Sequence, residues 1–155
     1  MSNQQSSDQI VRARVNDVPV YEFAQPSFTQ PPPLKNARVA IVTTAGLRSD
    51  GKLHWQPGDE SFTVLEGTDR TLGFAHFSPN FDRSGFALDL NVVYPIDRLR
   101  ELAERGTIGS VAARHISFMG AQHDHNLSTM RLDTGPAAAK LLRDDGVDVV
   151  LLTPA

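Results

Sequence analysis

The sequence lacks cysteine entirely, across all 155 residues. This absence excludes a disulfide framework, a thiolate nucleophile and a cysteine-ligated metal site within these residues. Long apolar runs are also missing, since none approaches the ~20 residues needed to span a membrane, so we expect no membrane partner. The opening MSNQQSSDQ has neither the basic nor the apolar region of a secretory signal. The sequence therefore predicts a cytoplasmic protein.

An excess of positive charge is missing too. The 15 lysine and arginine residues are outnumbered by 18 aspartate and glutamate residues, and the net charge is -3. Nucleic-acid binding depends on clustered cations, so we expect no nucleic-acid partner. The hydrophobic content of 40% and the charged content of 21% are typical of a folded globular domain.

Two regions of the chain differ in composition. Residues 1–33 are poor in core-forming side chains and contain Pro26 and the run Pro31-Pro32-Pro33, which favours an extended or partly disordered arm. Residues 34–155 carry the apolar segments and predict a single α/β domain.

Strand and helix patterns alternate along this second region. Arg38–Thr44 is almost wholly apolar and β-branched, and Val147–Leu152 is apolar except for Asp148, so both predict buried strands. Tyr94–Arg105 and Pro136–Asp145 each begin near a proline and end before a glycine, which is typical of helices. The expected fold class is α/β, with a mainly parallel sheet and flanking helices in a three-layer, Rossmann-like arrangement. Further extended segments are expected within 58–66, 71–78 and 114–119.

The loop that follows the first strand is the first candidate ligand site. Its residues, TTAGLRSDG at 43–51, include two glycines. Such a loop can present backbone N–H groups to an anion or a carboxylate, or it can be a plain turn. It matches neither the dinucleotide-binding fingerprint nor the Walker A loop.

Histidines supply two further candidates. The stretch QHDHN places His123 and His125 on one side of an extended chain, where they could bind a metal with Asp124 or Asp133. No known zinc-ligand spacing is present, and the alternative is a polar loop. His76 ends a predicted strand, six residues before Asp82, and is either a proton donor or acceptor or a structurally satisfied histidine.

Asp89 and Asn91 precede the best-predicted helix. Asx residues at such a position usually serve as caps or turn residues. They could equally face a ligand cleft, and the sequence leaves both interpretations open.

Several stretches taken in order resemble a known family. They are ARVAIVTTAGL, the Gly58-Asp59 pair followed by an apolar segment, AHFSPNFD, DLNVVYPIDRLRELAERGTIG, RHISFMGAQ and LLRDDGVDVVLLTPA. Together they resemble the selenoprotein B family of glycine, sarcosine, betaine and D-proline reductases, most closely the short members of the D-proline-reductase type, over about residues 34–155.

The resemblance implies an oxidoreductase that cleaves a C–N bond of a small amino-acid-like substrate, with a dithiol as the electron donor. In the family a selenocysteine or cysteine directly follows the last buried strand, which corresponds here to the position after Ala155. The expectation is therefore a longer, selenocysteine-containing protein whose domain is incomplete in this chain, and we expect the chain alone to be inactive. No other cofactor is expected within it.

The resemblance also implies partners and site residues. A subunit carrying a pyruvoyl group, or further copies of the chain, are the expected protein partners. His76 and Asp82 are the expected catalytic residues. The expected substrate-binding residues are Thr43, Thr44, Gly46, Asp89, Asn91, Ser117, Met119 and Gly120. The alternatives are a non-catalytic domain that binds an amino acid, and a metal-dependent hydrolase built on His76, His115, His123 and His125.

Overall fold

The computed structural model describes residues 6–16, 22, 24–25, 28–49, 55–79, 81, 83–122 and 127–155. The expected site residues Asp82, His123 and His125 lie outside these ranges. The helices are α1 (Ser7–Asn16), α2 (Ser84–Leu88), α3 (Ile96–Glu104) and α4 (Gly135–Asp144). The strands are β1 (Arg38–Thr43), β2 (Leu47–Arg48), β3 (Phe62–Glu66), β4 (Gly73–Phe74), β5 (Ser110–Val111), β6 (Arg114–Phe118) and β7 (Val149–Thr153).

The main sheet is mixed and mostly parallel. β1 lies at its centre and pairs in parallel with β7 on one side and with β5 and β6 on the other. β3 pairs antiparallel to β6 and forms the far edge. β2 and β4 form a separate antiparallel pair. The predicted α/β class with a mainly parallel sheet is confirmed.

Alternating residues of β1 direct apolar side chains to opposite faces of the sheet. Val39 and Ile41 pack in one cluster with Leu99 of α3. Ala40 packs in a second cluster with Leu142 of α4. Helices therefore pack against both faces, which is compatible with the predicted three-layer arrangement.

The two predicted helices form at the expected places. Pro95 directly precedes α3, and Gly106 follows its end with a φ of 70°. α4 is preceded by a π-helical turn at Met130–Thr134, and Gly146 follows its end with a φ of 69°. Glycine reaches these left-handed conformations without the steric cost of a Cβ atom.

β7 departs from the prediction that it is buried. The exposed fractions of Val150, Leu151 and Leu152 are 39%, 38% and 69%. The reason is position: among the described strands β7 pairs only with β1, so it lies at the edge of the sheet. An apolar run alone does not distinguish a central strand from an edge strand.

The N-terminal region contains α1, which lies inside the range predicted as an arm. The domain boundary at residue 34 stays a prediction. Within the part of the chain that the structure describes, no helix is long and apolar enough to cross a membrane.

Candidate functional site at the carboxyl edge of the sheet

The parallel strands end together at one edge of the sheet. Thr43, the last residue of β1, is paired with Ser117 of β6 and with Thr153, the last residue of β7. The segments that follow these strands therefore meet at the same edge. In open α/β sheets this edge is where ligands bind.

A cavity of about 260 Å³ opens at this edge. It is lined by His76, Ser78, Phe81, Gly120, Ala121 and Ala155. These residues come from three segments: the one after β4, the one after β6 and the one after β7. None of the six carries a permanent charge, so His76 is the titratable side chain of the lining.

His76 is 96% buried, and its ring is held from two sides. The ring stacks on Phe81 with 4.0 Å between centroids. Its Nδ1 accepts a hydrogen bond from the backbone N–H of Ser78 at 3.3 Å. The proton of the neutral imidazole therefore lies on Nε2. Nε2 is buried and has no hydrogen-bond partner in the described part of the chain.

Burial lowers the pKa of His76, and the nearby Arg83 guanidinium lowers it further. Arg83 also donates a hydrogen bond to the carbonyl oxygen of His76. At neutral pH the side chain is thus a neutral imidazole whose donor atom remains unused. An unpaired buried donor is costly, so this atom is the feature of the site that most strongly indicates a ligand.

Of the two interpretations of the loop after β1, an anion-binding loop or a plain turn, the N–H groups of residues 44–47 favour the turn, because all four are hydrogen-bonded within the protein. The N–H of Thr44 donates to the carbonyl of Thr153, and that of Ala45 donates to the hydroxyl of Thr43. The N–H groups of Gly46 and Leu47 donate to the carbonyl of Phe118 and the hydroxyl of Ser117. The physical reason is that this part of the loop is hydrogen-bonded to the ends of β6 and β7 through three of these donors and to the last residue of β1 through the fourth.

Thr43 and Thr44 both bind the end of β7. The hydroxyl of Thr43 is 2.9 Å from the carbonyl oxygen of Val93 and 3.2 Å from that of Thr153. The hydroxyl of Thr44 accepts from the N–H of Ala155 at 2.8 Å and lies 3.2 Å from its carbonyl oxygen. Both side chains therefore fix the strand whose end lines the cavity.

Gly46, Met119 and Gly120 pack tightly around this edge. A Cβ atom at Gly46 would lie 3.2 Å from both the backbone nitrogen of His76 and the sulfur of Met119. A Cβ atom at Gly120 would lie 2.8 Å from the carbonyl oxygens of Thr44 and Ala155. The structure thus brings the expected residues Thr44, Gly46, Met119 and Gly120 together with His76.

Asp89 and Asn91 lie between α2 and α3, where Asp89 is the N-cap of a 3-10 turn at Leu90–Val92 and Asn91 contacts the first turn of α3. Oδ1 of Asn91 accepts from the N–H of Asp97 at 3.1 Å, and Oδ1 of Asp89 accepts from the N–H of Asn91 at 2.9 Å. Hydrogen bonds from Asn91 hold the pKa of the Asp89 carboxyl below its usual value. Neither residue lines the cavity with His76, and these contacts are those of helix capping.

His115 belongs to a different part of the sheet. Between the pairs Val39–Val111 and Val42–Ile116, β1 has two residues and its neighbour has four. Nδ1 of His115 fills this irregularity by accepting from the N–H of Ile41 at 2.9 Å. Among the described residues, no group of three His, Cys, Asp or Glu side chains is placed to hold a metal ion.

Sequence reasoning missed Phe81, Ala121 and the role of Ala155 as part of the cavity wall. Phe81 could have been found, because it follows His76 by five residues within the AHFSPNFD stretch. Ala121 carries no signal in the sequence, since a small apolar side chain lines a cavity only through its position in the fold.

Comparison with known proteins gives the family. The model of the family described as glycine/sarcosine/betaine reductase selenoprotein B matches residues 60–155, more than half of the chain. The chain is 36% identical over 122 residues to the D-proline reductase subunit gamma of Acetoanaerobium sticklandii, covering 77% of this chain and 49% of that protein.

A second relative is the sarcosine reductase complex component B subunit beta of Peptoclostridium acidaminophilum. It is 27% identical over 145 residues, which cover 85% of this chain and 32% of that protein. The chain thus spans about half the length of the first relative and about a third of the second. No solved structure matches it. By its family match and its similarity to the first relative, the chain belongs to the glycine/sarcosine/betaine reductase selenoprotein B family.

Proposed function

We propose that this chain forms the reactive site of a selenol- or thiol-dependent reductase subunit that cleaves a C–N bond of a small amino-acid-like substrate. The observation that carries the proposal is the cavity in which the unused Nε2 of His76 and the carboxyl end of β7 share one lining. Family membership supports the reaction class, because both relatives are subunits of reductases.

We further propose that a selenocysteine or cysteine directly follows Ala155 in the full-length protein. A residue attached there would stand beside a cavity that already holds a buried hydrogen-bond donor, and the residues present fit that group. A chalcogen nucleophile must be ionised to react, and an ordinary thiol, with a pKa of about 8.5, is mostly protonated at neutral pH. A selenol titrates lower and would supply that nucleophile.

The chain's own contribution centres on His76. The Nε2–H group donates a hydrogen bond into the cavity, which orients and stabilises an anionic group there. When protonated, the ring can donate a proton to the nitrogen of the breaking C–N bond, because burial lowers the pKa of His76 and makes the imidazolium a stronger acid. Asp82 remains proposed as a second catalytic residue.

The overall reaction balances with a dithiol as reductant. Cleavage of the C–N bond takes two electrons and two protons: the carbon gains a hydrogen, and the nitrogen becomes an amine, which stays on the product when the substrate is cyclic. The dithiol supplies both electrons and becomes a disulfide. Among the residues proposed to bind substrate, Gly120 lines the cavity, while Thr44, Gly46 and Met119 pack directly behind its wall. Thr43 and Ser117 are proposed on the family resemblance alone. For Asp89 and Asn91 the resemblance implies substrate binding too, but their contacts are those of capping, and we propose capping as their role.

We place the protein in the cytoplasm, in a complex with a pyruvoyl-bearing subunit or with further copies of itself. Both relatives are named as subunits, which supports partner chains of some kind. The pyruvoyl group would hold the substrate amine on the partner, outside this chain.

Two measurements test the proposal together. The first is the nucleotide sequence after the Ala155 codon, where we expect an in-frame UGA or a cysteine codon followed by further coding sequence. The second is formation of a primary amine by the full-length protein and its partner, with dithiothreitol as reductant: ring opening for D-proline, and release of methylamine for sarcosine. A different stop codon followed by unrelated sequence, or a full-length complex with no dithiol-dependent activity on any family substrate, would refute the proposal.

A further inference from the structure

The end of β7 is fixed by side chains outside the strand itself. The hydroxyl of Thr44 contacts both polar backbone atoms of Ala155, accepting from its N–H at 2.8 Å and lying 3.2 Å from its carbonyl oxygen. The backbone N–H of Thr44 also continues the ladder to Thr153 at 3.2 Å. Thr44 therefore holds the backbone at two places, Thr153 at the end of β7 and Ala155 two residues later.

Gly120 forms the other side of this contact. The carbonyl oxygens of Ala155 and Thr44 would each lie 2.8 Å from a Cβ atom at position 120, closer than real Cβ contacts come. A side chain at this position would displace one of the two carbonyl groups. Thr44 and Gly120 together form what we call the Ala155 clamp.

The clamp lies beside the donor that the cavity leaves unused. Gly120 and Ala155 line the same cavity as His76, and Nε2 of His76 has no partner among the described residues. The backbone position of a residue attached to Ala155 is fixed by the clamp, and His76 lines the same cavity. Small displacements of such a point matter, since reactive geometry tolerates only fractions of an ångström.

We infer that Thr44 and Gly120 are positioning residues that hold the backbone at Ala155 so that the residue after it is presented to His76. This inference rests on the proposed function, which supplies the reactive group to be positioned. It assigns Thr44 and Gly120 roles that act through Ala155, with no contact to substrate required.

Two variants at position 44 test the role of its hydroxyl. Thr44→Val removes both hydroxyl contacts at nearly constant volume, whereas Thr44→Ser keeps the hydroxyl.

The first measurement uses the 155-residue chain and follows hydrogen exchange of the Ala155 amide by NMR. We expect Thr44→Val to accelerate exchange at least tenfold, Thr44→Ser to retain the protection, and Gly120→Ala to lose it. Thr107→Val is a matched control at an exposed threonine, and Gly85→Ala is a matched control at a glycine with open space around it. Equal exchange in Thr44→Val and wild type would overturn the clamp.

The second measurement uses the full-length protein and the pH profile for alkylation of its reactive chalcogen by iodoacetamide. We expect Thr44→Val to move the midpoint to higher pH and to lower kcat more than it changes KM, with Thr44→Ser restoring both. An unchanged profile despite loss of Ala155 protection would overturn the inference and leave the proposed function standing. Absence of any chalcogen after Ala155 would instead refute the proposed function, even with the clamp observed.

Discussion

Two buried histidines of this protein, His76 and His115, have different structural surroundings. His76 is held by Ser78 and Phe81 and keeps one nitrogen unused at a cavity. His115 is fully buried, and its Nδ1 completes the hydrogen bonding of the central strand at Ile41. Both pKa values are lowered mainly by desolvation, so the direction of the shift does not separate their roles. Nε2 of both rings is buried and has no hydrogen-bond partner among the described residues. What separates the two histidines is the cavity at the carboxyl edge of the sheet, which His76 lines and His115 does not.

His115 should make the protein sensitive to acid. Burial lowers its pKa to about 4, against an ordinary value of 6.5. Between those values the unfolded chain takes up a proton that the folded protein does not, so the free energy of unfolding falls as pH decreases from 6.5 to 4. The loss is about 3 kcal/mol. Urea unfolding measured across this range should show it.

Two variants, His115→Asn and the control His76→Gln, test whether His115 causes this loss of stability in acid. The first should lower stability at pH 7 and flatten the decline between pH 6.5 and 4, because the titrating group is gone. The second should keep most of the decline. A wild-type protein equally stable at pH 4.5 and pH 7 would contradict this role of His115.

At the scale of elements, capping contacts explain two residues that the sequence left ambiguous: Asp89 caps the 3-10 turn Leu90–Val92, and Asn91 binds the start of α3. Asn91 accepts from the N–H of Asp97 and also donates from its amide to Oδ2 of Asp97 at 3.3 Å. The Asp97 carboxylate is bound by Arg70 as well, and these hydrogen bonds lower the pKa of Asp97. Asx side chains have the same preference for caps and for ligand sites, so only the fold could decide between them.

Asn91→Ala tests that assignment. Loss of a cap costs about 1 kcal/mol, so the free energy of unfolding in urea should fall by that amount. In the full-length protein KM for the substrate should stay within twofold of wild type. A large rise in KM with unchanged stability would contradict capping and favour substrate binding.

β7 is the element whose environment the sequence predicted wrongly. Its exposed edge and side chains at Val150, Leu151 and Leu152 form a surface that natural proteins usually cover, charge or shorten. We therefore expect the 155-residue chain to self-associate in solution. Light scattering should show species larger than a monomer at micromolar concentration.

Leu152→Lys should shift the 155-residue chain toward monomer, because a charge at an exposed edge opposes strand pairing. Leu88→Lys is the matched control, since Leu88 is 91% exposed on α2. A clean wild-type monomer, or an equal response to both substitutions, would contradict a specific role for β7.

At the scale of the whole molecule, the sequence predicted the elements better than the site. Arg38–Thr44 and the two proline-initiated helices were identifiable because β-branched runs, Pro95 and Gly106 act locally. The arrangement around His76 was not, because Gly120, Ala121 and Ala155 gain meaning only when β1, β6 and β7 end at one edge. The hydrogen bonds from the N–H groups of Thr44, Gly46 and Leu47 depend on the same long-range contacts.

The central claim is that the cavity around His76 is the reactive site of a dithiol-dependent reductase. The most direct measurement is kcat for formation of a primary amine from D-proline or sarcosine, with dithiothreitol and the partner subunit present. It compares full-length wild type with His76→Ala and with Arg105→Ala, an exposed residue distant in sequence from the cavity segments. We predict that His76→Ala lowers kcat at least a hundredfold, with a circular dichroism spectrum like that of wild type, while Arg105→Ala retains full turnover. A correctly folded His76→Ala protein with wild-type kcat would contradict the account.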